Sequence, residues 1–273
     1  MKYSVLMSVY YKESSGNLEK SIKSMLNQTI KPNEFVLVED GELTDELYKT
    51  IDLFVTDNPN LFKIVRLEKN MGLGPALNRG INECSNEWIA RADSDDISVP
   101  ERMEKQFKRI RENPQIDIIG SNHIEFVDSV DNKESYTYKN LPSTNEEIQK
   151  YARRRNPFSH SVITMKKSVV LRAGNYRKYD YLEDYDMWVR MIEAGAYCEN
   201  LDEYLSYVKV SKDLYKRRGG LKYLKTILRF KREMYKKGFY SFKDYIVSSA
   251  AHIVVCLIPG FLRQFIYAKL LRK

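Results

Sequence analysis

Short apolar runs alternate with segments of helical period along the amino-terminal part of this 273-residue chain, and that alternation limits the fold more than any other feature. Residues 3–10 place Val5, Leu6, Met7 and Val9 almost side by side. A strand exposed on one face would alternate apolar with polar, so this run reads as a strand buried on both. Asn17 is the expected N-cap of a helix whose inner face is Leu18, Ile22, Met25 and Leu26. Residues 35–38 and 62–67 give a second and a third strand. Pro75 and Ala76 then open a helix with Leu77, Ile81 and Cys84 inward, and residues 87–92 form the next strand. Residues 116–119 continue the sheet, and a helix over 182–194 is stopped by Gly195 at C′. Strands separated by helices predict an α/β fold with a mostly parallel sheet and helices on both faces.

The strand at 87–92 runs into Asp93-Ser94-Asp95-Asp96, three carboxylates in four residues. Such groups repel one another, and burying them unpaired is costly. A cation is the natural compensation, and hard oxygen ligands suit Mg²⁺ or Mn²⁺ better than zinc. A solvated acidic turn is the plainer alternative. Ser98-Val99-Pro100-Glu101 reads as a capping box, with Met103, Phe107 and Ile110 following at helical spacing. The cluster therefore lies between the carboxyl end of a strand and a helix, where ligands bind in open α/β sheets.

Charge is divided unevenly. Residues 211–273 hold 16 Lys and Arg against 3 Asp and Glu, whereas residues 1–210 hold 29 against 34. An acidic domain thus carries a basic, helical, amphipathic tail. Lys212, Lys216, Arg217, Arg218, Lys231 and their neighbours read as a surface drawn to anionic lipid, or as a solvated helix. Residues 245–262 hold no formal charge, but Ser248, Ser249 and His252 dilute them and Pro259-Gly260 interrupts them. Interfacial or re-entrant attachment, a true span, and packing on the acidic domain are all open. The tail lacks recognisable nucleic-acid signatures, so no nucleic-acid partner is expected. Cys84, Cys198 and Cys256 are scattered, which implies a reducing compartment, and no secretory leader is expected.

Five segments in order carry a resemblance. They are Ser4 to Tyr11 in the first strand, Glu39-Asp40-Gly41, the run from Asn70 through Gly72, Gly74, Pro75 and Asn78 to Gly80, the acidic cluster, and Glu183-Asp184-Tyr185-Asp186-Met187-Trp188. Over residues 1–210 the chain resembles the inverting family 2 glycosyltransferases with a GT-A fold, particularly bacterial enzymes of surface-polysaccharide synthesis. The resemblance implies that Ser8 and Tyr10 contact the uracil end of a nucleotide sugar and that Asp40 reads the base. It puts Asp93 at the ribose and uridine, Asp95 on a Mn²⁺ or Mg²⁺ ion bridging the phosphates, and Asp96 in support. Asp184 becomes the catalytic base, with His160 and Glu183 candidates on the acceptor side. Tyr11 departs from the Asn that related sequences often carry.

The chemistry agrees. A diphosphate leaving group needs a cation, and an acceptor hydroxyl needs a base. The expected activity is hexosyl or N-acetylhexosaminyl transfer from a UDP-sugar to a saccharide on a polyprenyl diphosphate. The enzyme would sit on the cytoplasmic face of the cell membrane, held to its anionic surface. A nucleotidyltransferase acting on sugar phosphates, or an inactive membrane-bound scaffold, are the alternatives. The first should carry a Gly-rich loop after the first strand, where this chain reads Tyr10-Tyr11-Lys12-Glu13. Intact Asp95 and Asp184 argue against the second, and a dinucleotide-binding enzyme lacks its GxGxxG.

Overall fold

The computed structural model describes residues 1–211 and 219–258. The chain runs β1 Tyr3–Val9, α1 Ser15–Leu26, β2 Glu34–Glu39, α2 Asp45–Asp57, β3 Phe62–Arg66, α3 Leu73–Glu83 and β4 Trp88–Arg91. It continues with β5 Ile97–Ser98, α4 Arg102–Glu112, β6 Ile118–Phe126, β7 Thr137–Lys139, α5 Asn145–Ala152, β8 Thr164–Lys166 and α6 Lys167–Arg172. Then come α7 Glu183–Glu193, β9 Cys198–Lys209, α8 Gly220–Lys236 and α9 Phe242–Leu257. The nine strands lie in the order β3-β2-β1-β4-β8-β6-β9-β5, with β7 beside β6.

β1 explains the layers. Val5, Met7 and Val9 face a core completed by Leu18 and Ile22 of α1, Leu47 and Ile51 of α2, and Phe107 of α4. Leu6 points the other way, to Leu77 of α3, Val170 of α6 and Trp188 of α7. Alternate side chains leave a strand on opposite faces, so a run apolar at every position needs helices on both sides. The parallel arrangement predicted from the sequence holds for β3, β2, β1 and β4. Beyond β4 the sheet is mixed: β8 is antiparallel to β4 and β6, β5 is antiparallel to β9, and β6 and β9 are parallel.

Several boundaries differ from expectation. Ser14, not Asn17, caps α1, its Oγ accepting the Asn17 N–H at 3.1 Å. Asn17 instead binds Glu13 and Lys209 through its side chain. The expected capping box at Ser98 is absent, because the Ser98 backbone pairs with β9 and α4 begins four residues later, with no side-chain cap at Glu101. Helix α2, not anticipated, is capped by Thr44.

Helix α4 buries two polar residues along with Met103, Phe107 and Ile110. Arg102 is fully buried; Nη1 donates to Ser98 Oγ and to the Ser161 carbonyl, both at 3.0 Å, and Nη2 to the carbonyls of Arg91 at 2.9 Å and Ile163 at 3.1 Å. Gln106 donates to the Val162 carbonyl at 2.8 Å and accepts from Thr164 Oγ1 at 2.7 Å. These bonds join the parallel part of the sheet to the mixed part.

The tail helix α8 packs its apolar face against the segment around α7. Tyr223, Leu224, Ile227, Phe230 and Met234 meet Tyr179, Leu182, Tyr185 and Val189. Lys231, counted in sequence among the lipid-facing cations, is fully buried on that same face. Helix α9 leaves Phe242, Val247, Val254 and Leu257 about three-fifths exposed. Among the described residues no helix is long and apolar enough to cross a membrane. The expectations for Lys212, Lys216, Arg217, Arg218, Pro259-Gly260 and residues 261–273 lie outside the described residues.

Arg102→Ala removes four donated hydrogen bonds and leaves a cavity, so stability should fall by about 3–5 kcal/mol. Urea denaturation measures this, and a loss under about 1 kcal/mol would remove Arg102 from its role as the junction.

Candidate active site

Strand β4 ends at Arg91, and the acidic turn follows at the carboxyl end of the parallel strands. The turn is held from three sides. Ser21 Oγ donates to the Asp93 carbonyl, Ser94 Oγ donates to Glu13 at 3.1 Å, and the Lys209 N–H donates to the Asp96 carboxylate at 2.7 Å. Asp93 pairs with the buried guanidinium of Arg91, whose Nε and Nη1 have no hydrogen-bond partner. The carboxylates of Asp93, Asp95 and Asp96 bring ligand oxygens within 4.8 Å of one another. Burial, then the charges of Asp93 and Glu13, push the Asp95 carboxyl up to about 7. Burial, then the charges of Asp93 and Asp95, raise Asp96 well above the usual carboxylate range. Three hard oxygen donors that one guanidinium leaves under-compensated fit Mg²⁺ or Mn²⁺.

The second acidic group opens α7. Asp184 accepts from the Tyr185 N–H at 2.7 Å through one oxygen and from Asn156 Nδ2 at 2.5 Å through the other. Glu183 beside it is pushed up to about 7, by burial first and by the Asp184 charge second. Gly74 permits this arrangement. A Cβ there would sit 2.3 Å from the Arg177 carbonyl oxygen and 3.3 Å from Glu183 Cβ, so α3 could not approach with any larger residue. His160 stands in an aromatic group with Tyr176 and Trp188, its Nε2 2.9 Å from Tyr176 Oη. Burial, with the Arg91 charge, keeps its imidazole neutral well below the usual range. It is a wall residue with one nitrogen occupied.

One cleft of about 1000 Å³ unites the two groups. Asp93 and Asp96 line one part, His160, Glu183 and Asp184 another, and the cleft continues to α8 and α9. Asp95 faces an adjoining small depression with Asn17, Lys20 and Asp128. Ser8, Tyr10 and Asp40 are not in the cleft wall. Ser8 is half-buried near the end of β1, and Tyr10 is exposed with its ring edge-on to Tyr11 at 5.9 Å. Asp40 is buried, and its two oxygens accept the N–H groups of Met71 at 2.7 Å and Gly72 at 3.0 Å. In this structure Asp40 fixes the loop before α3. Gly41 beside it has φ +85°, and a Cβ would meet Asn70 N at 2.5 Å.

Sequence reading overlooked Arg91, Tyr176 and Lys209. Arg91 reads as an ordinary polar strand end, and only its position within the apolar run Trp88-Ile89-Ala90 to Ala92, two residues before Asp93, hints at burial. Nothing local marks Lys209, which reaches the site because β9 pairs with β5 and β6.

Because Glu183 holds its proton more tightly when folded, it opposes folding as it ionises. The folded protein binds the extra proton between about pH 4.5 and 7, so stability attributable to this group falls as pH rises through that window. Glu183→Gln should therefore be close to wild type near pH 4 and more stable by about 1–3 kcal/mol at pH 8. Denaturation at the two pH values checks this, and an equal effect at both would contradict it.

Residues 4–178 match the glycosyl transferase family 2 profile, which stops just short of Glu183. A UDP-Gal:alpha-D-GlcNAc-diphosphoundecaprenol beta-1,3-galactosyltransferase from Escherichia coli is 35% identical over 100% of this chain and 97% of its own. An amylovoran biosynthesis glycosyltransferase from Erwinia amylovora is 36% identical over 98% of both chains. Among solved structures, a mannosyltransferase from Pyrobaculum calidifontis in complex with GDP-Man and Mn²⁺ superposes with a TM-score of 0.64. It is 12% identical, over 98% of this chain and 80% of that one, and so speaks for the GT-A fold alone. A sheet with helices on both faces, an acidic turn at its carboxyl edge and a sequence match over most of its length establish that this chain belongs to glycosyl transferase family 2 and is a glycosyltransferase.

Proposed function

We propose that this enzyme transfers a hexosyl or N-acetylhexosaminyl group from a UDP-sugar to a hydroxyl of a diphosphate-lipid-linked saccharide, with inversion, in surface-polysaccharide assembly. The observation that carries the reading is the single cleft lined by Asp93 and Asp96 of the acidic cluster and by the Glu183-Asp184 pair. Of the two relatives above, one is named for a diphosphoundecaprenol-linked acceptor, which supports the acceptor class, and the other for amylovoran biosynthesis. Asp184 is the general base. Asn156 and the Tyr185 N–H orient its carboxylate, and a base fixed by two donors can meet an acceptor hydroxyl without reorganising. Glu183, pushed up to about 7, carries a proton part of the time near neutral pH and in that form is suited to donate a hydrogen bond to the acceptor. Asp95, with Asp93 and Asp96, would hold Mn²⁺ or Mg²⁺, which when bound supplies charge neutralisation at the diphosphate. Ser8 and Tyr10, at the carboxyl end of β1, offer a hydroxyl and an exposed ring to the nucleoside.

We assign the catalytic domain to residues 1–210 and membrane attachment to the tail. The exposed apolar side chains of α9 and the exposed cations Lys222, Lys225, Arg232 and Lys236 suit an interfacial position on an anionic, cytoplasmic membrane face.

Asp184→Asn should lower transfer by about 100-fold or more and leave UDP affinity nearly unchanged. Turnover assays beside UDP titrations test this; wild-type turnover would remove the base role, and loss of UDP binding would move Asp184 to the donor site. Asp95→Ala should abolish Mn²⁺-dependent thermal protection by UDP while the metal-free protein melts no lower than wild type. Undiminished protection would reject Asp95 as a ligand.

A further inference from the structure

Beyond Asp184 the cleft wall passes to the segment after α5 and to the two tail helices, where Arg154, Lys231, Lys243 and Ser248 line it. Lys231 is the anomaly of this end. It is fully buried, and both groups that its Nζ meets are uncharged: the Ser248 carbonyl and, at 2.8 Å, His252 Nδ1. An imidazole is neutral or cationic, so His252 offers no counter-charge in either state, and burial without an anion lowers the Lys231 ammonium to about 7. A buried ammonium without an anion beside it is unfavourable, just as a buried carboxylate cluster without a cation is.

A second observation points the same way. Ser248 is 92% buried and lines the cleft, yet its Oγ has no hydrogen-bond partner. Asp244, an acid at this end, already accepts from Ser241 Oγ at 2.7 Å. Arg154 and Lys243 are exposed at the rim. Alongside these cations α9 presents Val247, Ala251 and Val255 to the cleft, and Val247 is three-fifths exposed. A floor of positive charge beside an apolar strip complements an amphiphile with an anionic head.

We propose that this end of the cleft is the subsite for the diphosphate of the acceptor's lipid carrier. Lys231 and the Ser248 hydroxyl bind the diphosphate from the floor, Arg154 and Lys243 close over it from the rim, and the α9 strip receives the first part of the hydrocarbon chain. The assignment rests on the lipid-linked acceptor proposed above. It makes the tail part of substrate recognition: the diphosphate binds at one end of the cleft and the reacting hydroxyl meets Asp184 further along.

The test uses the full chain with a chelator present, so that no divalent ion can draw a diphosphate to the acidic cluster. Binding of farnesyl diphosphate, farnesol and inorganic pyrophosphate is measured by calorimetry. Farnesyl diphosphate should bind wild type more tightly than either fragment. Its affinity should fall by about tenfold or more in Lys231→Met, the loss expected for a contact to a charged group, and by less in Ser248→Ala. Unliganded Lys231→Met should melt no lower than wild type, because an apolar chain of similar length replaces a buried amine that has no anion beside it. Should that variant fail to fold, Arg154→Gln and Lys243→Gln, both at exposed positions, should each weaken binding several-fold. Equal farnesyl diphosphate affinity in wild type and the variants, or farnesol binding as tightly as its diphosphate, overturns the subsite. Either result with Mn²⁺-dependent UDP protection and Asp184-dependent transfer intact rejects this subsite alone. Absence of UDP protection in wild type would instead reject the donor reading.

Discussion

The guanidinium of Arg102 holds the junction on which the site depends. It lies where β4, the last of the parallel strands, meets β8, the first antiparallel one. The carbonyls of Arg91, Ser161 and Ile163 converge there, away from water, and an inward carbonyl must find a donor within the protein. A planar guanidinium supplies several donors in a fixed fork, which a lysine could not reproduce. The consequence is geometric. Arg91 leads into the acidic turn, and Ser161 adjoins His160 in the opposite wall, so one helix side chain sets the spacing between walls drawn from distant segments.

Charge balance then decides what the cleft can hold. Asp93, Asp95, Asp96, Glu183 and Asp184 crowd a site whose buried cation is Arg91, and burial makes each unshared negative charge costly. The chain answers in two ways. It favours protonation of part of the set, pushing Asp95 and Glu183 up to about 7 and Asp96 well above the usual range, and it steadies Asp96 and Asp184 with the backbone N–H groups of Lys209 and Tyr185. The metal ion proposed for the cluster would supply the charge that Arg91 does not. Burial, together with the same Arg91, lowers the proton affinity of His160, which makes it a weak competitor for the role of base.

The tail repeats this logic with the opposite sign. Its helix α8 has a helical-period apolar face, Tyr223, Ile227, Phe230 and Met234, and Lys231 falls on it at four residues from Ile227. Read only as a list of cations, residues 211–273 suggest a surface. Read by helical position, Lys231 is separated from Lys222, Lys225, Arg229 and Arg232, which lie on exposed positions. A lysine on the buried face of an amphipathic helix was therefore legible in the spacing, and the pattern was obscured by the density of charge around it.

Much of the amino-terminal part was legible because it is local. Strands buried on both faces declare themselves through uninterrupted apolar runs, α1 and α3 through residues at four and seven positions apart, and the acidic cluster through its place after a strand. The family motifs are likewise short segments whose order survives in the sequence. The tertiary structure decided what depends on pairing between distant segments. β8 turned the sheet from parallel to mixed, and β9 took Ser98 out of a helix cap. The same pairing carried Lys209 to Asp96, while the Asn70 loop occupied the carboxylate of Asp40. Asp93 and Glu183 stand 90 residues apart in the chain yet act on one another across one cleft. Helical and strand periods are fixed by neighbours within a few residues, whereas strand register, burial of a lone charge and the meeting of two carboxylate groups follow only from the packed whole.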